Sequence, residues 1–354
     1  MLQIQRGVLK NVGVIVLIVI VVTCIFQYNL PPPPRICGLP GGPAITAQRV
    51  KLRDGRYLAY KETGVPKESS KFKIIFVHGF GSYRHHVAVA ANLPLEVVEE
   101  LGLYIVSFDR PGYGESDPDP KRNVKSFALD IEELADQLKL GNRFYLIGYS
   151  MGGQTVWGSL RYIPHRLAGA ALLAPVVNYW WSGFPDNLCN EAFQKQPIED
   201  QWAQRVVHYF PWLTYWWNTQ KLFPGSSVAA GKAVLSQQDN EIKLKRKRGN
   251  NHREQVKQQG EFESLHRDMM IGFGSWEFSP VNLTNPFGSI QGSVHLWQGN
   301  EDTLVPVTLQ RYIAQRLPWI KYHEVAGAGH LFPYAEGMPE AILRSLLVDE
   351  NTNK

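Results

Sequence analysis

Apolar residues recur along this chain in short runs that polar turns and amphipathic stretches separate. Residues 73–77, 144–147 and 293–297 are rich in β-branched and aromatic side chains, which is typical of buried strands. Residues 126–138 instead place apolar side chains at helical spacing, with Ser126 as the expected N-cap. The alternation of such strands and helices predicts an α/β fold, in which helices cover both faces of a mostly parallel, twisted sheet.

Three further elements can be recognised in the sequence. Residues 49–52 and 57–60 flank Asp54-Gly55 and predict an antiparallel hairpin at the start of the sheet. Residues 166–175 predict the sixth strand, and residues 339–347 predict a terminal helix. No internal repeat interrupts the order.

The alternation stops over residues 178–292, which is far more chain than a crossover between strands needs. Seven of the ten tryptophans lie there, namely Trp180, Trp181, Trp202, Trp212, Trp216, Trp217 and Trp276. We expect this segment to form a helical cap, because loops at the carboxyl ends of strands surround the site in α/β proteins. Its rings either line an apolar substrate pocket, form the small core of the cap or lie at an interface.

The N-terminus departs from the rest of the pattern. Residues 12–26 are almost uniformly aliphatic, and no charged residue occurs between Lys10 and Arg35. With its flanks the segment reaches about twenty residues, which is enough to cross a bilayer. It predicts a single-pass anchor in the endomembrane system or the plasma membrane, and Arg6 and Lys10 favour a cytoplasmic N-terminus. A cleaved signal peptide, and hence a secreted protein, is the alternative, although no Ala-x-Ala site is present.

These patterns together predict the organisation of the whole chain. The expected segments are a transmembrane signal-anchor (1–30), a Pro/Gly-rich linker (31–48), a first part of the core (49–177), the cap insertion (178–292), a second part of the core (293–348) and a frayed tail (349–354).

The strongest chemical motif is Gly148-Tyr149-Ser150-Met151-Gly152, between a predicted strand and a predicted helix at residues 154–162. Glycines two positions before and after a serine let the strand and the helix pass closely. The serine then lies on a tight, strained turn with its Oγ exposed. We therefore predict that Ser150 is a nucleophile. The alternative role, an ordinary helix cap, requires none of these glycines.

A serine nucleophile needs a base and a group that orients the base, and both candidates lie downstream. His330 follows the strand-like residues 321–325, and we predict that it is the general base and acid. Asp302 follows the strand at 293–297 and is the expected orienter of the imidazole. Glu301 is the rival orienter, and His323 is the rival base, although it lies within a strand pattern rather than after it.

Two backbone N–H groups must hold the oxyanion that the nucleophile generates. Met151, the residue after Ser150, is one predicted donor. Phe80 is the other, because it lies in a loop after the strand at 73–77, where flanking glycines let the backbone approach a substrate. His78 is expected to shape this loop rather than transfer protons.

The chain resembles the α/β-hydrolase superfamily over roughly residues 49–348. The turn Asp109-Arg110-Pro111-Gly112-Tyr113-Gly114-Glu115-Ser116 and the turn Gly299-Asn300-Glu301-Asp302 carry this resemblance together with the motifs above. The closest general likeness is to membrane-anchored plant hydrolases of esterase or lipase type. Epoxide hydrolases and haloalkane dehalogenases are also similar, but they have an aspartate where this chain has Ser150. We expect Asp109 and Arg110 to have a structural role within the turn at residues 109–116.

The expected function is therefore a serine hydrolase that cleaves carboxylic esters, with a small-molecule or lipid ester as substrate and with no cofactor or metal. The alternatives are a ligand receptor on the same fold, or an acyltransferase, lyase or cofactor-free peroxidase with the same triad. A His-x-x-x-x-Asp acyltransferase signature is absent from the sequence, which weakens the acyltransferase alternative.

The composition further limits the classes of protein and of binding partner that are compatible with this chain. The 354 residues include 44% hydrophobic and 19% charged residues, as expected for one large globular domain with an insertion. A net charge of +5 is too small to indicate a nucleic-acid partner. Three scattered cysteines exclude a zinc site or a disulfide framework, although Cys37 and Cys189 are a candidate pair for one bridge. The basic run at residues 243–248 indicates a solvated face or, alternatively, contact with anionic lipid. Asn282 begins a glycosylation pattern that matters only in a lumenal domain.

Overall fold

A computed structural model describes residues 11–20, 23, 27, 30–246, 252–288 and 291–348. The strands are β1 (Gln48–Lys51), β2 (Tyr57–Gly64), β3 (Phe72–Val77), β4 (Leu103–Phe108), β5 (Phe144–Tyr149), β6 (Leu167–Leu173), β7 (Val294–Gly299) and β8 (Ile320–Val325). The α-helices are α1 (Leu95–Leu101), α2 (Val124–Gln137), α3 (Met151–Tyr162), α4 (Asp186–Gln194), α5 (Ile198–Tyr209), α6 (Thr214–Thr219), α7 (Ser227–Ala230), α8 (Gln237–Lys245), α9 (His252–Val256), α10 (Arg267–Phe273), α11 (Val307–Arg316) and α12 (Met338–Leu347). A π-helical turn at Phe262–His266 precedes α10.

The strands form one sheet in the order β1-β2-β4-β3-β5-β6-β7-β8. The pairings β1–β2 and β2–β4 are antiparallel, and every other neighbouring pair is parallel. The predicted hairpin and mostly parallel sheet are therefore confirmed. Because β5, β7 and β8 run in the same direction, their carboxyl ends lie along one edge of the sheet, where ligands bind in α/β folds.

Two apolar cores cover the two faces of the sheet. Along β3, Ile75 and Val77 belong to one core while Ile74 and Phe76 belong to the other, as the alternation of side chains in a strand requires. Helices α2 and α3 pack on the first face, where the side chain of Trp157 is fully buried. Helix α12 packs on the second face. Burial on both faces explains why the central strands are apolar throughout instead of alternating.

Helices α4 to α10 all lie between β6 and β7, so the predicted helical insertion is present in the fold. Its tryptophans divide into two groups. Trp181 is buried and packs against Trp276, whereas Trp202 and Trp212 are more than half exposed. The insertion is joined to the rest of the molecule by buried polar contacts that are described with the site below.

The prediction of a membrane anchor in residues 1–30 is wrong for the part of this segment that the structure describes. Among all described residues, no helix combines the length and the apolar character that crossing a bilayer requires. The single-pass membrane localisation, which was predicted from this anchor, is therefore wrong for the described residues as well. Residues 1–10, 21–22, 24–26, 28–29 and 349–354 lie outside the described residues.

Two local predictions also need correction. Helix α2 begins at Val124 rather than Ser126, because Asn123 is its N-cap and accepts a hydrogen bond from the Ser126 amide. Ser126 completes the reciprocal capping box from inside the first turn, which moves the helix start toward the N-terminus. The candidate bridge is absent, since Cys37 and Cys189 are both free and buried. Cys189 lies against the Tyr179 carbonyl and Cys37 lies near that of Gly114.

Candidate active site

Ser150 lies on the turn between β5 and α3, in the backbone conformation that its flanking glycines predict. Its φ of 56° and ψ of −120° are strained for a residue with a side chain. A Cβ on Gly152 would lie 2.3 Å from the Val77 carbonyl oxygen, and one on Gly148 would lie 2.4 Å from the Gly152 carbonyl oxygen. The two glycines are therefore required by the close approach of α3 to β3 and β5.

The structure brings Ser150, His330 and Asp302 together at the carboxyl edge of the sheet. The Ser150 Oγ lies 3.0 Å from the His330 Nε2, and the His330 Nδ1 lies 2.8 Å from the Asp302 Oδ2. The three side chains come from the loops after β5, β8 and β7 and are separated by 180 and 28 positions in the sequence. Both distances fall within the range over which a proton is shared or transferred.

The Asp302 carboxylate is held by several donors besides the imidazole. Its Oδ1 accepts hydrogen bonds from the amides of Leu304 (2.8 Å) and Val305 (2.9 Å), and its Oδ2 accepts one from the Gln298 side chain (2.9 Å). Donors of this kind fix the rotamer of a carboxylate. The carboxylate is thereby aimed at the His330 Nδ1.

The two rival residues lie elsewhere. Glu301 is exposed, and its amide donates to the Ala328 carbonyl. His323 lies within β8, where its Nε2 is 3.0 Å from the His295 Nδ1 and its ring stacks on Trp297 at 4.0 Å. Neither side chain occupies the place beside Ser150 that His330 and Asp302 fill.

The imidazole of His330 is buried, and its environment favours the protonated form. Burial by itself lowers the pKa of His330, but the charge of Asp302, its hydrogen bond to the imidazole and the charge of Asp239 outweigh that effect. The pKa of His330 is therefore raised above its ordinary value. A raised pKa strengthens the imidazole as an acceptor of the Ser150 proton.

A buried carboxylate from the insertion holds the loop that carries His330. The Asp239 Oδ2 accepts a hydrogen bond from the His330 amide (2.9 Å), and its Oδ1 accepts one from the Leu331 amide (2.6 Å). A Cβ on Gly329 would lie 2.3 Å from the Asp239 Oδ2, so this approach depends on the glycine. On the sheet side, the Tyr149 hydroxyl donates to the His330 carbonyl at 3.1 Å. The imidazole is thus positioned through its own backbone from two directions.

The predicted oxyanion donors belong to residues that border the same cavity as Ser150, and both N–H groups remain available. Met151 is the first residue of α3, where helix geometry leaves the N–H without an intrahelical partner. Within the described part of the chain, neither the Met151 amide nor the Phe80 amide donates to a protein acceptor. Both residues border the cavity at Ser150. The two N–H groups are candidates for holding a negatively charged oxygen there.

The peptide that carries the Phe80 N–H is oriented from the opposite side. The Gly79 carbonyl accepts hydrogen bonds from the Arg110 Nη2 (3.1 Å) and the His78 Nδ1 (2.8 Å). In a trans peptide the C=O and the following N–H point in opposite directions, so these bonds direct the Phe80 N–H away from Arg110. His78 therefore shapes this loop, as the sequence predicts, and the Arg110 amide donates to its Nε2 at 3.1 Å.

Arg110 is in turn paired with the insertion. Its guanidinium makes a bidentate ion pair with Asp268 at 2.7 and 2.8 Å, and the Tyr113 hydroxyl donates to the same carboxylate at 2.9 Å. Arg110 and Asp268 are both buried. Because the pair links the turn after β4 to α10, Arg110 joins the insertion to the oxyanion loop. Asp109, the residue before Arg110, instead forms an ion pair with Arg84.

Two cavities meet at Ser150. The wider cavity has a volume of about 320 Å³ and the smaller one about 70 Å³, and Phe80, Ser150 and His330 border both. No tryptophan is among the residues that line either cavity. Of the insertion's rings, Phe273 borders the smaller cavity, whereas the tryptophans show packing, for example the stacking of Trp180 on His208.

Within the described residues, no cluster of histidine, cysteine and carboxylate side chains could hold a metal ion. The reactive groups at the edge of the sheet are therefore a hydroxyl, an imidazole, a carboxylate and two backbone amides. This set can transfer a proton from the hydroxyl and can stabilise an oxyanion on a substrate carbonyl.

Sequence reasoning missed the supporting residues Gln298, Asp239, Tyr149 and Asp268. The Ser236-x-x-Asp239 spacing signals the start of α8, and the Ser236 Oγ does accept a hydrogen bond from the Asp239 amide. That signal says nothing of the carboxylate, whose partner amides lie 91 and 92 positions away. Asp268 has no local signal, because its partner Arg110 is 158 positions away.

Comparison with known proteins places this geometry in context. The profile of the alpha/beta hydrolase family matches residues 74–344, which is most of the chain. Protein ABHD14A of Rattus norvegicus is 26% identical over 149 residues, which cover 42% of this chain and 60% of that protein. The match thus spans less than two thirds of this relative.

Solved structures resemble the chain over a greater length. A thermophilic esterase from Thermogutta terrifontis superposes with a TM-score of 0.56 at 21% identity, covering 85% of this chain and all of that one. An enol-lactonase from Burkholderia xenovorans superposes with a TM-score of 0.55 at 16% identity, covering 86% of this chain and all of that one. At these identities the likeness shows the fold alone. The narrower resemblance to membrane-anchored plant hydrolases is not shown by these matches.

Proposed function

The chain belongs to the alpha/beta hydrolase family, and from that membership and the site geometry we propose that it is a serine hydrolase of carboxylic esters. The observation that carries the proposal is the continuous chain of contacts from the Ser150 Oγ through His330 to Asp302, at 3.0 and 2.8 Å. A serine hydroxyl becomes a useful nucleophile only when a base takes its proton and a third group orients that base.

Acylation begins when the Ser150 Oγ attacks the ester carbonyl carbon and its proton passes to the His330 Nε2. The carbonyl oxygen gains the electron pair of the broken π bond and is held by the Phe80 and Met151 amides. Collapse of this tetrahedral intermediate breaks the bond to the alcohol oxygen. That oxygen leaves with the proton from the His330 Nε2, and the acyl group remains on Ser150.

Deacylation repeats these steps with water as the nucleophile. His330 accepts a proton from the water as its oxygen bonds to the acyl carbon, and the same two amides hold the second oxyanion. The bond to the Ser150 Oγ then breaks, and His330 returns the proton to that oxygen. Asp302 stays ionised throughout and stabilises the imidazolium that forms twice in each cycle.

The proposal is tested with the full chain on short 4-nitrophenyl esters, by measuring kcat and KM for the wild type and for Ser150→Ala. We expect the substitution to lower kcat by about 10³-fold or more, because it removes the only atom that forms the acyl bond. Ser159→Ala is the matched control. Ser159 is a buried serine on the same helix α3, where its Oγ donates to the Thr155 carbonyl, and it borders neither cavity.

The possible outcomes separate the proposal from its alternatives. Repeated turnover in the wild type and in Ser159→Ala, and its loss in Ser150→Ala, supports hydrolysis. Equal rates in the wild type and Ser150→Ala would place the nucleophile elsewhere. A single burst of one equivalent of nitrophenol, with no later turnover, would favour a receptor or a transferase that excludes water from the acyl-enzyme.

A further inference from the structure

The wider cavity at Ser150 is bordered by cationic side chains and by no carboxylate. Its lining includes Lys243 and Arg246 of the α8 region, and Arg253 and Lys257 of the α9 region. No aspartate or glutamate is among the lining residues. A concave surface lined by one sign of charge concentrates its field and attracts ligands of the opposite charge.

Among the described residues, most of these cations have no counterion. Lys257 pairs with Glu261 at 3.1 Å, but in the described part of the chain Lys243, Arg246 and Arg253 form no ion pair. Arg253 donates to a backbone carbonyl, that of Ala229, at 2.9 Å. The sequence predicts that the basic run at residues 243–248 forms a solvated face, but its described residues lie in two different environments. Lys245 is exposed to solvent away from the cavity, whereas Lys243 and Arg246 border it.

Arg246 is the cation of this cluster that has a buried donor without a hydrogen-bond acceptor among the described residues. Its guanidinium lies over the ring of Tyr334 at 3.4 Å, and its Nη1 is buried with no hydrogen-bond acceptor among the described residues. A buried donor without a partner costs stability, so a bound acceptor at this position is favoured. Guanidinium groups suit oxyanions with two oxygens in particular, because parallel N–H donors match them.

Aromatic packing links this cation to the catalytic residues. Tyr334 packs edge-on against Tyr149 with ring centroids 5.8 Å apart, and Tyr149 directly precedes Ser150. Tyr334, Tyr149 and His330 all border the same cavity as Arg246. A ligand in this cavity can therefore contact the cations at one end while its ester reaches Ser150 at the other.

The smaller cavity limits the opposite side of the ester. Its volume is about 70 Å³, and apolar side chains such as Met151, Met269 and Phe273 make up more than half of its lining, although Gln196, Gln204 and the carboxylate Asp200 also border it. A short apolar group fits there, whereas a long chain does not. The two cavities thus differ in both size and charge.

We propose that the substrate is an ester with a short apolar group on one side and an anionic group, a carboxylate or a phosphate, on the other, which Lys243, Arg246 and Arg253 bind. This inference rests on the proposed ester hydrolysis and adds the substrate class. The short group occupies the smaller cavity beside Met269, and the anion occupies the cationic end of the wider cavity.

The first test compares esters that differ in charge but little in shape. Three acetate esters place the variable group on the alcohol side: 4-acetoxybenzoate, 4-acetoxyphenyl phosphate and the neutral 4-acetoxybenzamide. Monomethyl glutarate and methyl pentanoate place it on the acyl side. Each kcat/KM is divided by the rate of hydroxide hydrolysis to remove intrinsic reactivity. We expect an advantage of about tenfold or more for an anionic ester, falling between about 50 and 500 mM NaCl as salt screens the charges.

The second test removes single cations. Arg246→Gln and Lys243→Gln are each expected to reduce the anionic-to-neutral ratio by about five- to tenfold, the usual effect of losing one partly exposed charge contact. Lys245→Gln is the matched control, since it removes the same charge from the same helix at an exposed position away from the cavity. It should leave the ratio unchanged. A carboxylate preference over phosphate, or the reverse, identifies the anion.

The outcomes distinguish this inference from the proposed function. Ser150-dependent turnover without any preference for anionic esters would overturn the inference and leave the hydrolase proposal standing. If no ester is turned over, 4-acetoxybenzoate is titrated against Ser150→Ala and followed by calorimetry. Binding that Arg246→Gln weakens and Lys245→Gln does not would support the anion site without the hydrolase, whereas no binding would overturn it.

Discussion

At the scale of single residues, the site depends on the protonation of one buried imidazole. His330 is neutral when it accepts the Ser150 proton, so kcat/KM should rise with pH as His330 loses its own proton. Because the pKa of His330 is raised above its ordinary value of 6.5, this rise should be centred at a higher pH than for an exposed histidine. The charge and hydrogen bond of Asp302 act in the direction of this shift.

Asp302→Asn should therefore change both the height and the position of the pH profile. We expect kcat/KM to fall by about 10³-fold or more, because the amide no longer stabilises the imidazolium or fixes its orientation. The midpoint of the profile should move to lower pH, since the influence that raises the pKa of His330 is lost. The measurement is kcat/KM against pH for both proteins. Glu301→Gln is the control, and a midpoint that moves with Glu301 rather than Asp302 would contradict the assignment.

The predictability of single residues follows from the ends of the strands. The convergence of Ser150, Asp302 and His330 could be predicted from the sequence because each follows a recognisable strand, and parallel strands bring their carboxyl ends to one edge. Asp239 was not identified. It lies on a mainly polar helix with no apolar periodicity, and only the folded chain brings its carboxylate to the His330 and Leu331 amides.

At the scale of elements, the turn between β5 and α3 sets the position of Ser150, the proposed nucleophile. Gly152→Ala would place a Cβ 2.3 Å from the Val77 carbonyl oxygen, so α3 or β3 must shift. We expect a loss of about 3 kcal/mol in the free energy of unfolding. Gly55→Ala is the comparison, because Gly55 has a positive φ (92°), which Gly152 does not, and has open space around it.

Urea unfolding of both variants checks this expectation. Gly55→Ala should cost only about 1 kcal/mol, the price of a left-handed backbone for alanine without a clash. Equal losses in the two variants would mean that a Cβ at position 152 costs no more than a strained backbone at an open position, and would contradict the close approach of α3 to β3 as the reason for this glycine.

The oxyanion loop is a second element whose geometry depends on a distant partner. Arg110→Lys keeps a positive charge beside Asp268 but cannot make the bidentate pair and contact the Gly79 carbonyl at the same time. We expect kcat to fall by about tenfold to a hundredfold with little change in KM, because the Phe80 amide holds the oxyanion only after attack. Steady-state kinetics with a neutral ester measure both constants.

Arg267→Lys is the control for this substitution. Arg267 lies in α10 beside Asp268 and pairs with Glu263 at 2.7 Å, but it has no contact with Gly79. If Arg110→Lys and Arg267→Lys lower stability alike and neither lowers kcat, Arg110 supports the fold without positioning the oxyanion loop.

At the scale of the whole molecule, buried polar contacts connect the insertion to the sheet. Besides the Arg110–Asp268 pair, the Arg122 Nη2 donates to the Ser264 carbonyl (3.2 Å) and the Gln154 side chain donates to that of Gly272 (3.1 Å). We therefore expect the insertion and the core to unfold together. Tryptophan fluorescence, to which the insertion contributes seven of ten tryptophans, and far-UV circular dichroism should give coincident urea transitions. A separate, earlier fluorescence transition would contradict this coupling.

Tertiary contacts also explain which features of the whole molecule could be predicted from the sequence and which could not. The sheet followed from apolar runs, and the presence of a helical insertion followed from the length of chain without them. The partition of its tryptophans between packing and exposure did not follow, because short helices such as α6 and α7 take their environment from tertiary contacts rather than from their own periodicity. The apolar N-terminal run shows the limit of hydropathy, since among the described residues no helix meets the length that a bilayer requires.

The most direct measurement of the central claim is the site at which a fluorophosphonate attaches to the full chain, mapped by peptide mass spectrometry. The account predicts one adduct, on Ser150, which disappears in Ser150→Ala and forms much more slowly in His330→Ala because the base is missing. An adduct on another residue, or equal labelling of wild type and Ser150→Ala, would contradict it.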